Sequence, residues 1–154
     1  MGLHGYYYYI DEPGMREIKA GDESVFTLPM LLSLDEYWEI IHYIFCGKTK
    51  NGKSPWGYIV PLKIENEIRD SLATVYFIYP EQVRMAKDAL FSITVEEFVA
   101  TYSFKELKKA GLYGINWRTK KDKLEKELRI NFQALRTFFN KVAQSDDCII
   151  FYVV

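Results

Sequence analysis

Apolar positions fall into two periods along this 154-residue chain. Gly5 to Ile10 (GYYYYI) is aromatic and ends at Asp11-Glu12-Pro13-Gly14, which predicts a strand followed by a turn or helix start. Ala73 to Tyr79 is a second β-branched and aromatic run, closed by Pro80. Cys148 to Val154 is an unbroken apolar run, and such a tail is stable only when it pairs inside a sheet. The other period is helical. Leu124, Leu128, Phe132, Leu135, Phe139 and Val142 recur at spacings of 4, 4, 3, 4 and 3, which is one stripe on a 3.6-residue repeat. Val83, Ala86 and Leu90 form a shorter stripe.

A Ser or Thr that accepts from an orphan N–H, with an acid three residues later reaching back, marks a helix start. The chain has this signature at Ser33…Glu36, Thr94…Glu97, Ser103…Glu106 and Thr119…Asp122. The first predicts a helix to about Cys46, closed by Gly47. The next two predict short helices, the second closed near Gly111, and the fourth opens the longest helix, to about Gln144. Pro80 in its favoured first position opens another. Residues 48–72 are turn-rich, with Gly52, Pro55, Gly57 and Pro61, and leave room for one short strand at Tyr58–Val60. No repeat or linker divides the chain, so residues 1–154 predict a single compact domain. Strands near the start, middle and end, with helices grouped between them, predict the α+β class. The expected architecture is a small mixed or antiparallel sheet packed against several helices, chiefly those opened by Ser33 and Thr119.

Composition agrees with a globular chain and excludes collagen or low-complexity disorder, at 49% hydrophobic and 27% charged. Aromatic residues reach 16%, but most fall on the strands and stripes and so belong to the core. Tyr6 to Tyr9 stands apart. Strand alternation sends two of its hydroxyls to each face of the sheet, and an open face would make Tyr6 and Tyr8 candidates for a partner surface. The longest apolar runs fall far short of the ~20 residues that span a bilayer, and no signal segment is visible. The expectation is a cytoplasmic chain without a membrane partner. Cys46 and Cys148 read as buried reduced thiols rather than a disulfide.

The net charge of −1 predicts no strong attraction to nucleic acid, yet the charge is polarised. Residues 1–40 carry 2 basic and 8 acidic groups, whereas residues 101–154 carry 11 basic and 6 acidic. The stretch from Lys105 to Arg129 mixes bases with Tyr113 and Trp117, the composition of a nucleic-acid surface. Glu125 and Glu127 among its lysines favour a solvated helix face instead.

Two local constellations carry candidate chemistry. Gly47 to Ser54 (GKTKNGKS) matches the phosphate-binding pattern G-x-x-x-x-G-K-[ST]. That loop works only between a strand and a helix, where backbone N–H groups converge on phosphates. Here a predicted helix precedes it and Pro55 follows, so a flexible basic loop is expected. The segment from Leu34 to His42 places Asp35, Trp38 and His42 on one helical face. His42 could act as a general base oriented by Asp35, with Cys46, four residues further, as its nucleophile. The plainer reading makes Trp38 core and His42 a hydrogen-bonded helix histidine. His4 and His42 are the only histidines and lack metal-ligand spacing, so neither a metal nor another cofactor is expected.

Several of these segments together resemble the YfbM-like family, small bacterial proteins classed as a domain of unknown function. The chain opens Met1-Gly2-Leu3-His4-Gly5-Tyr6 against the family's Met-Gly-x-x-Gly-Tyr. Leu34, Asp35, Trp38, Ile41, His42 and Gly47 match a second segment; Pro80, Glu81 and Val83 a third; Leu112, Tyr113 and Trp117 a fourth. A long helix and short apolar strand close the chain, as in the family. Residues 48–72 are atypical of it. The resemblance implies a compact α+β domain with no established activity, cofactor or catalytic set, some of whose relatives look like toxin-neutralising immunity proteins.

The resulting expectation is a non-catalytic binding module for a protein partner, an immunity-like form included. Tyr6, Tyr8, Trp38 and His42 are its candidate binding residues. A small enzyme built on His42, Asp35 and Cys46, and nucleotide binding through residues 47–54, stand as alternatives. Oligomeric state is left open.

Overall fold

The computed structural model describes residues 2–21, 31–68 and 74–154. Strand β1 (Gly5–Ile10) leads into helix α1 (Glu12–Lys19). The Asp11 carboxylate caps that helix by accepting from Gly14 N at 2.9 Å. Strand β2 (Leu32–Asp35) and helix α2 (Trp38–Cys46) follow. A long connection containing 3₁₀ turns at Trp56–Tyr58 and Ile64–Asn66 reaches the short strand β3 (Glu67–Ile68). Strand β4 (Thr74–Ile78) then gives way to helices α3 (Pro80–Phe91), α4 (Val95–Ala100), α5 (Phe104–Lys109) and α6 (Lys121–Ser145). Strand β5 (Cys148–Val153) ends the fold.

The sheet has the order β2-β1-β5-β4-β3, and every neighbouring pair is antiparallel. The C-terminal strand is therefore central. Its residue Phe151 stands opposite both Tyr7 and Tyr76. Alternation sorts side chains to two cores. Tyr7, Tyr76, Ile78, Ile149, Phe151 and Val153 pack with the buried stripes of α2, α3 and α6. Tyr8, Val75, Phe77, Cys148, Ile150 and Tyr152 form a second cluster with Met15 and Ile18 of α1. Both faces of the sheet are thus occupied, which is why all six residues of β5 are buried. The α6 stripe expected from its spacing is buried throughout, from Leu124 to Val142.

Three boundaries differ from expectation, each for a tertiary reason. Ser33 opens no helix: Leu32–Asp35 instead pairs with β1 as an edge strand, burying Leu34, and α2 begins at Trp38 without a side-chain cap. Thr119 does not cap α6. Its hydroxyl accepts from Asn116 N at 2.9 Å, and Lys120 stands at the cap position. Tyr58–Val60 is not a strand; the chain turns through the 3₁₀ helix at Trp56–Tyr58 and buries Ile59 and Val60 in the core. The Thr94 and Ser103 caps do form, each accepting from the N–H three residues on. Of the expected 73–79 strand, Ala73 lies outside the described residues. No helix among the described residues is long and apolar enough to cross a membrane.

Candidate functional site

Helix α2 carries Trp38, His42 and Cys46 at intervals of four, so all three lie on one side of it. His42 is only 1% exposed. Its Nδ1 lies 2.8 Å from the Val60 carbonyl oxygen, so Nδ1–H donates and Nε2 is left as the lone-pair nitrogen. Among the described residues Nε2 has no hydrogen-bond partner. The connection after α2 closes over this side. Asn51 N donates to Leu62 O at 2.9 Å, and Lys63 Nζ donates to Gly52 O at 2.6 Å. A Cβ on Gly52 would stand 2.2 Å from Cys46 Sγ and 3.2 Å from His42 Nε2, so bare backbone lies directly over both groups.

This enclosure sets the protonation states. Burial lowers His42 to about 4, with Lys63 and Lys48 pushing the same way against the Val60 hydrogen bond. Burial raises the Cys46 thiol to about 11, overriding the opposite pull of Lys63 and Lys48. Near neutral pH the pair is an imidazole and a thiol. A thiol this weakly acidic and a base this weak do not exchange a proton to make a nucleophile. Both cysteines are free.

Asp35 is not on the α2 face. It ends β2 with φ 48°, and its Oδ1 accepts from Ser33 Oγ at 3.1 Å. His4 lies beside it, with 4.0 Å between Nδ1 and Oδ1. The group that orients His42 is therefore the Val60 carbonyl and not the Asp35 carboxylate. In the 47–54 loop, Gly47 adopts φ 73° and closes α2 by donating to Tyr43 O at 2.7 Å. The segment thus follows a helix and precedes a 3₁₀ turn, and it lacks the strand–loop–helix geometry that cradles phosphate. Among the described residues no group of three or more His, Cys, Asp or Glu side chains could hold a metal ion.

The start of α2 builds a different feature. Trp38 Nε1 donates to Leu3 O at 3.1 Å, and its ring stacks on Tyr113 with centroids 5.7 Å apart. Tyr113 N donates to Glu39 Oε1 at 3.0 Å, and the Tyr113 hydroxyl accepts from Leu3 N. These contacts pin the loop before α6 against α2. Gly114 makes the approach possible: its φ is +86°, and a Cβ there would stand 2.3 Å from Glu36 O. Beyond it, Asn116 Oδ1 accepts from Arg118 N at 2.8 Å while Asn116 N donates to Thr119 Oγ1.

The result is an open groove of about 280 Å³ lined by Tyr37, Gly114, Asn116, Arg118, Thr119, Lys120, Lys123 and Leu124. No carboxylate lines it. Trp117, between the lining residues Asn116 and Arg118, is 78% exposed, with the Arg118 guanidinium 4.8 Å from its ring centroid. Burial raises the Tyr37 phenol, and the nearby carboxylates of Glu127, Asp35 and Glu36 raise it further.

Of the expected binding residues, Tyr8, Trp38 and His42 lie inside the molecule at 1%, 8% and 1% exposure. Tyr6 is half-buried, beside Tyr152 at 5.5 Å. The second face of the sheet holds the α1 contacts, so the tyrosine run does not supply an open surface at Tyr8. The groove residues were not singled out in the sequence, where the Lys105–Arg129 stretch read as a solvated face. Their signal was the Asn116…Thr119 turn chemistry, which folds the cations together instead of stringing them along a helix.

The sequence pattern described as "Domain of unknown function (DUF1877)" matches residues 1–152. No curated protein matches the chain. Among solved structures the fold is similar to a protein of unknown function, YfbM, from Escherichia coli. The two share 19% identity at a TM-score of 0.75, over 98% of this chain and 99% of that one. At that identity the likeness establishes the fold.

Proposed function

Because the chain belongs to the DUF1877 family, whose description carries no activity, we propose from its own geometry that it is a non-catalytic binding module for a protein partner. The observation that carries this reading is Trp117, a large aromatic ring held open to solvent on a tied loop, with an arginine stacked on it. Trp and Arg are the side chains that most often dominate interface energetics. A ring left exposed at this level costs hydration free energy that contact with a partner recovers. An immunity-like role, with a toxin as the partner, is one form of this reading. The enzyme alternative built on His42 has less support, since the imidazole is buried beneath Gly52 and both it and the half-buried Cys46 thiol are neutral near pH 7.

The test is an affinity pull-down from native lysate using the full chain and Trp117→Ala as parallel baits. A specific protein retained by the first and depleted at least fivefold on the second is expected. If no protein is retained above the empty-matrix control, the reading fails.

A further inference from the structure

Of the five described arginines, three already have an acidic partner. Arg16 meets Glu12, Arg84 meets Asp146, and Arg129 holds Glu96 through two hydrogen bonds of 2.7 and 3.0 Å. Arg136 has none but packs 4.4 Å over the Phe91 ring in a groove it shares with one lysine, Lys141, whereas the groove beside Trp117 gathers three cations. Among the described residues Arg118, Lys120 and Lys123 form no ion pair, yet the three line one concavity without a carboxylate. Tyr37, Asn116 and Thr119 add neutral hydrogen-bonding groups to the same walls. Unpaired like charges gathered in one place repel one another, and an anion placed among them removes that repulsion.

We propose that this groove docks an acidic peptide segment of a protein partner. A carboxylate sits among Arg118, Lys120 and Lys123, and a neighbouring apolar side chain lies on the Trp117 ring. The assignment rests on the binding-module reading above and names the chemistry of the partner's contact. Three features favour it. The cations complement acid. The loop that bears Trp117 and Arg118 is already fixed by the Asn116–Thr119 and Asn116–Arg118 hydrogen bonds, so little ordering entropy is lost on docking. The groove is also compact, and the helix beyond it alternates Asp122, Glu125 and Glu127 with its lysines. Those acids break the continuous cationic track that a nucleic-acid backbone requires.

The experiment is selection of phage-displayed random dodecapeptides on the immobilised full-length protein, followed by titration of one synthetic winner. Selected sequences should be enriched in Asp and Glu. The winner should bind Arg118→Glu/Lys123→Glu at least tenfold more weakly than wild type, and Trp117→Ala at least fivefold more weakly. All three positions are exposed, so the variants should keep the wild-type circular dichroism spectrum and Tm. Lys48→Glu/Lys50→Glu, with the same charge change at the far end of α2, should bind within twofold of wild type. The proposal is overturned if no peptide is selected, if winners lack acidic enrichment, or if both double reversals weaken binding equally. A 20-nucleotide oligothymidylate that binds more tightly than the winner also overturns it, and assigns the groove to single-stranded nucleic acid. A pull-down partner indifferent to Arg118→Glu/Lys123→Glu would sink the groove assignment while the binding-module reading stands. Acidic winners that require the groove, with no protein retained from lysate, would support the groove chemistry and sink that reading.

Discussion

His42 links burial to protonation. Its imidazole is held neutral because the charged form would lose its water with only one carbonyl to replace it. The folded value near 4 lies below the unfolded value of about 6.5, so the unfolded chain binds the extra proton between them. Stability from this group is therefore complete above about pH 6.5 and is lost as pH falls toward 4. Going from pH 7 to pH 5 should cost wild type about 2 kcal/mol through this residue. His42→Gln can still donate to the Val60 carbonyl but does not titrate. Urea denaturation at both pH values should show wild type losing that much more than the variant. Equal losses would mean that His42 is not held neutral by the fold. At the same scale, Gly52 reads in the sequence only as a turn glycine of the 47–54 pattern, and its bare backbone lies against Cys46 and over the buried His42.

The same four-residue signature, Ser or Thr followed by an acid, gave different outcomes in different elements. At Thr94 the capping box is complete, with Thr94 N donating to Glu97 Oε1 at 3.1 Å and Glu97 N donating to Thr94 Oγ1 at 3.0 Å. At Ser33 the hydroxyl accepts from Asp35 N at 3.0 Å inside β2, because β1 offers its edge to the Leu32–Asp35 backbone. Edge pairing satisfies several backbone groups and buries Leu34, which outweighs one side-chain cap. Thr94→Ala should therefore lower unfolding stability by about 1 kcal/mol, while Ser33→Ala should stay within about 0.5 kcal/mol of wild type. Chemical denaturation compares the two directly. A larger loss at Ser33 would show that it caps a helix after all.

Across the whole molecule, β5 joins the two halves. It lies between β1 and β4, and its alternate residues enter both cores. A chain ending at Asp147 would leave β1 and β4 as separate edges, strip Phe151 from Tyr7 and Tyr76, and open both clusters to water. Such a chain should fail to fold, giving collapsed amide dispersion in NMR spectra and no cooperative melting. A cooperative transition near the wild-type Tm would show instead that the β1–α6 portion is stable without its central strand. Charge is also organised at this scale. The basic excess of residues 101–154 is concentrated in part by the loop that ends at α6, where three cations share one groove.

The periodicity alone determined the class, the long α6 stripe, the Pro80 start of α3 and the inward burial of the terminal strand, because each rests on contacts between residues near in sequence or on a face that must leave water. The resemblance in Leu34–Gly47 and Leu112–Trp117 pointed to the family without pointing to an activity. Three matters were decided only in three dimensions. The strand at Leu32–Asp35 exists because β1 is there to pair with it. The buried, neutral state of His42 and the neutral, half-buried state of Cys46 come from residues 51–63 folding back over α2. The groove beside Trp117 forms because Trp38 and Gly114 bring two segments together that are more than 70 residues apart. In each case the deciding partner is distant in sequence, and a local pattern holds no record of which backbone or charge will arrive beside it.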